Sequence, residues 1–422
     1  MLTPIVTAPK SLEDYRAIIG DHLTDEIYKL AKPMNGAKVL HINATAFGGG
    51  VAELLHSIVP LMNNVGLVAN WHVMHGADEF YQVSKALHNS LQGMHMEWKP
   101  EMWEIWRRYN LLNAQNFEGH YDYVIVHDPQ PAGILHFLGE LGLLSRDTKW
   151  IWRCHIDSTD AQPEAWDLLR PYLEPYDAAV FTLKQFVKKD LMGPRIWVIP
   201  PAIDPLSDKN VYISNDTVTG VLTKFNIDPS RPLMVKASRM DAWKDPMGVL
   251  EAYFLVKKQL PAVQLVFLVA IADDDPEGWS YYEQAIAGAN GDPDVHILPN
   301  ILNGIGDLEV NAFQRAAQVV VQKSIREGFG LAVTEALWKS KPVVGGRAGG
   351  IPLQVVHGKT GYLVNTPSEC ARWILHLLQN SDRAKTLGHN GMERVRGNFL
   401  ITRYLKDYMR VFRGLESNRK YV

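Results

Sequence analysis

Two doubly wound α/β domains facing each other across a cleft are the fold this sequence predicts, on three observations. Short apolar, β-rich runs alternate with longer helical patterns, and the alternation occurs twice along the chain. The runs are continuously apolar, as strands are when helices cover both faces of a parallel sheet. Between the two series lies a proline-rich connector, 198–210 (VIPPAIDPLSDKN), with little helical or strand pattern. At ~150 residues per domain, 422 residues suggest two or three domains.

In chain order the first series places strands at 37–42 (AKVLHI), 68–74 (VANWHVM), 123–127 (YVIVH), 150–156 (WIWRCHI) and 178–182 (AAVFT). The second places them at 233–238 (LMVKAS), 265–270 (LVFLVA), 295–298 (VHIL), 319–322 (VVVQ), 342–346 (PVVGG) and 362–364 (YLV). A last segment, 400–413, returns to helical periodicity after the second sheet is complete. The expected division is an N-terminal Rossmann-like domain over 1–205, completed by a C-terminal helix within 400–422, and a second Rossmann-like domain over 206–399.

Composition excludes several classes. Lys and Arg number 43 against 46 Asp and Glu, a net charge of −3. Such a balance argues against a massed basic face, and so against nucleic acid and anionic membranes as partners. With 46% hydrophobic and 21% charged residues the chain is not a disordered one. The two cysteines, Cys154 and Cys370, lack metal-ligand spacing, and free thiols in a reducing compartment are the simpler reading. The most apolar stretch, 263–272 (VQLVFLVAIA), falls short of the ~20 residues of a membrane helix. No apolar signal core opens the chain, so the expected location is the cytoplasm.

Ligands of doubly wound sheets bind beyond the C-terminal ends of the strands, which is where the motifs fall. The first strand runs into Gly48-Gly49-Gly50 and then a helix. Glycines there let the backbone approach an anion, and the helix start offers free N–H groups. Neither the dinucleotide nor the P-loop fingerprint is met, and a plain flexible turn is an equal reading. After LMVKAS come Arg239, Asp241 and Lys244. Two cations at a strand end suit a pyrophosphate leaving group, although a solvated loop pairing Asp241 with Lys244 is the bland alternative.

The most specific element is SIREGFGLAVTEA, which follows VVVQ and holds Glu327 and Glu335 around the turn Gly328-Phe329-Gly330. Eight positions at 100° do not return to one helical face, so Glu327 belongs in the loop and Glu335 one turn into the helix. One carboxylate then binds sugar hydroxyls, the other a ribose, and the N–H groups of Gly330 and Leu331 face phosphates between them. Dipole-complementing acids at a helix start explain Glu335 but not the Gly-Phe-Gly turn. In the first half, His127-Asp128 and His155 with Asp157 end neighbouring strands, a combination that favours a sugar-hydroxyl site over isolated structural histidines. The 12 tryptophans offer stacking surfaces for sugar rings but mostly read as packing.

Together these residues resemble the retaining glycosyltransferases of family 4, whose fold is called GT-B. Within that family the chain is similar to the trehalose glycosyl-transferring synthases. HINATAFGGGVAELLHSIVPL, VIVHDPQPA, WRCHID, DDDPEGW, VNAFQRAAQVVVQKSIREGFGLAVTEALWKSKPVVG and ERVRGNF carry the likeness from about residue 12 to residue 408. Fungal-type retaining trehalose phosphorylases share much of the pattern.

The resemblance implies reversible transfer of glucose from a nucleoside diphosphate glucose, UDP- or ADP-glucose, to the anomeric hydroxyl of free glucose, giving α,α-trehalose. It implies that Arg239 and Lys244 neutralise the leaving diphosphate, that Glu327 binds donor glucose hydroxyls, and that His155 stands beside the transferred sugar. Gly48, Gly49, Gly50, Phe329, Gly330, Leu331 and Glu335 are the expected donor-binding set, with Glu335 on the ribose. Glu53, His127, Asp128 and Asp157 are the expected acceptor contacts. No carboxylate pair is placed for a covalent route, so a front-face displacement is expected, in which the departing phosphate oxygen takes the acceptor's proton.

No resident cofactor or metal is expected, Asp273-Asp274-Asp275 being read as a loop cap, with Mg2+ as a stimulant through the nucleotide. The family implies a homodimer. Two competing readings are a phosphorylase using glucose 1-phosphate, which needs no ribose contact, and a sugar-nucleotide-binding protein without catalysis.

Overall fold

The computed structural model describes residues 2–47, 49–271 and 276–416. The chain divides into two compact units, Met1–Pro201 with Ile401–Val422, and Ala202–Leu400. Among the described residues no helix is long and apolar enough to cross a membrane.

The first unit is built on strands β1 (Thr3–Pro4), β2 (Lys38–Asn43), β3 (Val68–Val73), β4 (Tyr123–His127), β5 (Lys149–Cys154), β6 (Ala178–Phe181) and β7 (Arg195–Val198). They lie in the order β1-β3-β2-β4-β5-β6-β7. Only the β1–β3 pair is antiparallel. The strands anticipated in this half are present within one or two residues. β1 and β7 were not anticipated: β1 is too short to carry a period, and β7 (RIWV) lies on the edge with three of four residues exposed. The middle strands are apolar because both faces are buried, with Trp152, Val124 and Phe181 each at most 1% exposed.

The second unit holds β8 (Leu233–Arg239), β9 (Gln264–Ala270), β10 (Val295–Pro299), β11 (Val319–Gln322), β12 (Val343–Gly346) and β13 (Gly361–Val364). Every pair is parallel, in the order β10-β9-β8-β11-β12-β13. Apart from the short edge strand β1, in each sheet the chain starts in the middle, builds outward to one side, and then returns to build the other. The reversal falls between β2 and β4 in the first unit and between β8 and β11 in the second. Loops leaving two strands on opposite sides of such a point open a crevice beyond the carboxyl ends, where ligands of this architecture bind.

The chain re-enters the first unit for its last helix, Ile401–Glu416. Its apolar face is buried: Phe412 stacks on Tyr123 at 4.2 Å, and the Tyr123 hydroxyl donates to Glu416 at 3.0 Å. Arg403 donates to the carbonyls of Pro200 and Pro201 at 2.7 and 2.9 Å. In the second unit the Ile203 amide donates to the Phe399 carbonyl at 2.9 Å.

Candidate active site

At the reversal point of the first unit, β2, β4 and the segment after β5 each deliver a histidine. His41 lies on β2, His127 ends β4, and His155 follows Cys154. His41 Nδ1 is 3.0 Å from His127 Nε2, and His127 Nδ1 is 3.0 Å from His155 Nε2. Both ring pairs are stacked with centroids 5.3 Å apart. His41 is 1% exposed and His127 is buried, whereas His155 is part-exposed. Burial pushes His41 down to about 3. Burial, reinforced by Arg153 and by the neighbouring histidine, holds His127 and His155 well below the usual range. The file is therefore neutral at pH 7.

Asp128 adopts a left-handed backbone, φ 65°, which turns its carboxylate back to accept from the His155 amide at 2.7 Å. Burial lifts its carboxyl to about 7, against that hydrogen bond and the Arg153 charge. Arg153 is wholly buried beneath, donating to the Val180 carbonyl at 3.3 Å and lying 5.9 Å from the Tyr404 ring centroid. Asp157 is buried and accepts from the Thr159 amide at 3.0 Å. Gly49 caps the helix Gly50–Asn64, and Glu53 is exposed in its first turn. Gly48 lies outside the described residues. The structure thus joins His127, Asp128 and His155 directly. Gly49, Gly50 and Glu53 belong to the turn and helix that follow β2.

At the reversal point of the second unit the charges are denser. Arg239 ends β8 half-exposed and pairs with Asp241 at 3.0 Å. Asp241 also caps the short turn Ala242–Lys244, accepting from the Lys244 amide at 3.1 Å. The Lys244 side chain does not return to Asp241, the pairing a plain solvated loop would have. It reaches across to Glu327, with Nζ 2.8 Å from each carboxylate oxygen. Ser324 Oγ adds a donor to Glu327 at 3.2 Å. The backbone ties the same loops together, since the Ile325 amide donates to the Trp243 carbonyl at 2.9 Å.

Two further lysines, which the sequence reading did not single out, complete this cluster. Lys323 pairs with Asp245, itself left-handed at φ 47° and capping the helix Pro246–Lys257. Lys236, inside β8, is 1% exposed, and among the described residues its ammonium has no hydrogen-bond partner. Burial first, and the Lys244 charge second, push it down to about 8. Four cations thus share three carboxylates: Arg239–Asp241, Lys244–Glu327 and Lys323–Asp245 are pairs, and Lys236 is the excess. The signal available in the sequence was a single lysine within an otherwise apolar strand.

Glu327 lies in the loop and Glu335 one turn into the helix Leu331–Trp338. Gly330 precedes that helix at φ 86°, a conformation side chains resist. Phe329 is buried with its ring edge-on to Phe399 at 5.6 Å. Glu335 is 4% exposed and accepts from Gln314 at 3.1 Å, while Gln314 in turn accepts from Lys339 at 2.8 Å. Lys339 reaches Asn210 at 2.9 Å, so Glu335 is held rigidly.

The run GGRAGG, which ends β12 and continues into the turn beyond it, packs on this loop. A Cβ on Gly346 would lie 2.0 Å from the Ser324 carbonyl oxygen, and one on Gly349 would lie 1.4 Å from that of Glu327. Among the described residues no group of His, Cys, Asp and Glu side chains is arranged to hold a metal ion. Asp273, Asp274 and Asp275 lie outside the described residues.

Comparison with known proteins gives a consistent set of matches. Residues 41–188 match the model of the trehalose synthase N-terminal domain, and residues 222–394 that of glycosyl transferases group 1. A trehalose synthase of Rubrobacter xylanophilus is 46% identical over 98% of this chain and 99% of its own. A trehalose phosphorylase of Pleurotus pulmonarius is 26% identical over 85% of this chain but only 54% of its own. The α,α-trehalose 6-phosphate synthase structure from Burkholderia multivorans covers 92% of this chain and 98% of its own, with TM-score 0.74 at 15% identity. The fold is therefore that of the GT-B glycosyltransferases, with two parallel-sheet units.

Proposed function

This chain belongs to the trehalose synthase family of glycosyltransferases, and from that premise we propose that it moves glucose, with retention, from a nucleoside diphosphate glucose to the anomeric hydroxyl of free glucose. The product is α,α-trehalose and the transfer is reversible. The observation that carries this reading is the cation-rich cluster at the β8–β11 reversal point. There Arg239, Lys244, Lys323 and Lys236 outnumber Asp241, Glu327 and Asp245, and the loop of Glu327 leads into the helix Leu331–Trp338. A departing diphosphate gathers negative charge on its bridging oxygen, and fixed cations with helix N–H groups stabilise that charge without reorganising.

In this reading Arg239 and Lys244 turn to the diphosphate when the donor binds. Glu327, released from Lys244, takes donor glucose hydroxyls, and Glu335 meets the ribose. The rigid tether of Glu335 to Gln314 and Lys339 supports a positioning role of that kind. Within the first unit Glu53, Asp128 and Asp157 serve the acceptor, His127 does so through His155, and the turn at Gly49 and Gly50 offers its backbone to an anion. Retention follows a front-face course in which the leaving phosphate oxygen takes the acceptor's proton. No cofactor is resident, and Mg2+ acts through the nucleotide. The protein works as a cytoplasmic homodimer, a location that its two free, buried cysteines support.

The test incubates the protein with glucose and, separately, UDP-glucose, ADP-glucose and glucose 1-phosphate, and identifies what is released. Free UDP or ADP with α,α-trehalose is the expected result and also names the donor. Release of inorganic phosphate from glucose 1-phosphate would make the protein a phosphorylase instead. Nucleotide binding without release would make it a binding protein.

A further inference from the structure

The three histidines of the first unit are coupled in a way that single residues are not. A neutral imidazole carries one N–H and one bare nitrogen, so each 3.0 Å contact in the file holds a single proton. Only two arrangements satisfy both contacts. In one, all three protons sit on Nδ1: His41 donates to His127, His127 donates to His155, and His155 keeps an N–H for a ligand. In the other, all three sit on Nε2, and His155 presents a bare Nδ1.

The buried end selects between them. His41 Nε2 is buried and has no hydrogen-bond partner among the described residues. The second arrangement would make it an orphaned N–H donor, whereas the first leaves it a bare ring nitrogen; the Tyr408 ring nearby is 6.4 Å away between centroids and inclined at 61°. Orphaned buried N–H groups are the rarer defect. The open end is His155, part-exposed, whose backbone amide donates to the Asp128 carboxylate and whose ring is stacked on that of His127.

We propose that His41 and His127 are positioning residues that fix His155 as its Nδ1–H tautomer, making it a hydrogen-bond donor to a sugar oxygen. Both ring nitrogens of His127 are taken up within the file, so of the three rings only His155 reaches the sugar, and the identity of the atom it offers is set two rings away. The inference rests on the proposed function in one respect, that a sugar binds beside His155.

The test uses the full-length protein labelled with 15N at histidine and long-range 1H–15N correlation spectra without substrate. The expected spectrum shows His155 protonated on Nδ1 alone, and protonation on Nε2 in the wild type overturns the proposal. His41→Asn places an amide N–H near the position of Nδ1 and is expected to keep the His155 tautomer and the transfer rate. His41→Leu removes the donor and is expected to give a mixture of His155 tautomers. Its kcat should fall ~10-fold, the lower end for loss of an orienting partner, with the donor KM little changed. Equal loss in both variants, or an unchanged tautomer in His41→Leu, overturns it as well. The spectra need no substrate. A protein that holds the Nδ1–H tautomer yet transfers no glucose would refute the proposed function and leave the control of the tautomer standing.

Discussion

Replacing Lys236 by methionine should stabilise this protein and weaken its hold on a diphosphate. The Lys236 ammonium is buried with no hydrogen-bond partner among the described residues, and burial lowers it from the ordinary 10.5 to about 8, a shift equal to what the fold loses by keeping it charged. At pH 7 that loss is ~3 kcal/mol. Methionine has a similar length, packs readily in irregular cores and carries no charge to desolvate. For a unit the size of Ala202–Leu400, ~3 kcal/mol corresponds to a rise in Tm of ~6–12 °C. The effect must follow pH in a definite direction. Above pH 10.5 the amine is neutral in both states and the difference vanishes. Between 10.5 and 8 the folded state releases a proton that the unfolded state keeps, and below 8 the full cost is present. Urea unfolding of wild type and Lys236→Met at pH 7 and pH 10.5 checks this. A variant no more stable at pH 7, or equally stabilised at both pH values, refutes the argument. The cluster would then hold three cations against three carboxylates, and the donor KM should rise ~10-fold as the attraction for the anion is lost.

Glu327→Gln keeps the shape of the side chain but strips Lys244 of its counter-charge. It should cost ~3 kcal/mol in urea unfolding, as breaking one side of a largely buried pair does, and reduce transfer at least ~100-fold. Gly349→Ala drives a methyl group into the Glu327 carbonyl at a φ of 45°. A loss of ~3 kcal/mol or more, read from the urea midpoint, is expected. Asp128→Asn keeps the acceptor for the His155 amide and removes a carboxyl that burial lifts to about 7. The wild-type fold holds a proton there that the unfolded chain gives up near 3.8. Wild type should therefore match the variant near pH 4 and fall behind it as pH rises to 7, with no further divergence above; unfolding midpoints from pH 4 to 8 check this.

Much of the architecture was legible because its signals are local. Strands buried on both faces are runs of apolar residues, and eleven such runs stand within one or two residues of where the sequence puts them. The placement of Glu327 in a loop and Glu335 on a helix also follows from local spacing and a glycine turn. What escaped was set by contacts between distant segments. In the sequence Lys244 has an acidic neighbour three residues back in Asp241, yet Asp241 is occupied by a backbone cap and by Arg239, which frees the lysine for Glu327. Gly346 and Gly349 acquire meaning only when the loop from Ser324 to Phe329 lies against them. His41 reads as one polar residue in an apolar strand until β2 and β4 pair and align its ring with that of His127.

The last helix has a consequence for how the molecule is made. Because Ile401–Glu416 covers Tyr123 with Phe412 and returns to the amino-terminal sheet only after the whole second unit has been synthesised, that sheet leaves the ribosome with an apolar flank bare. The unit translated first is thus the one completed last, reversing the usual vectorial order. Interrupted translation within the final helix would release chains whose second half is finished and whose first half is still open to chaperones and to aggregation.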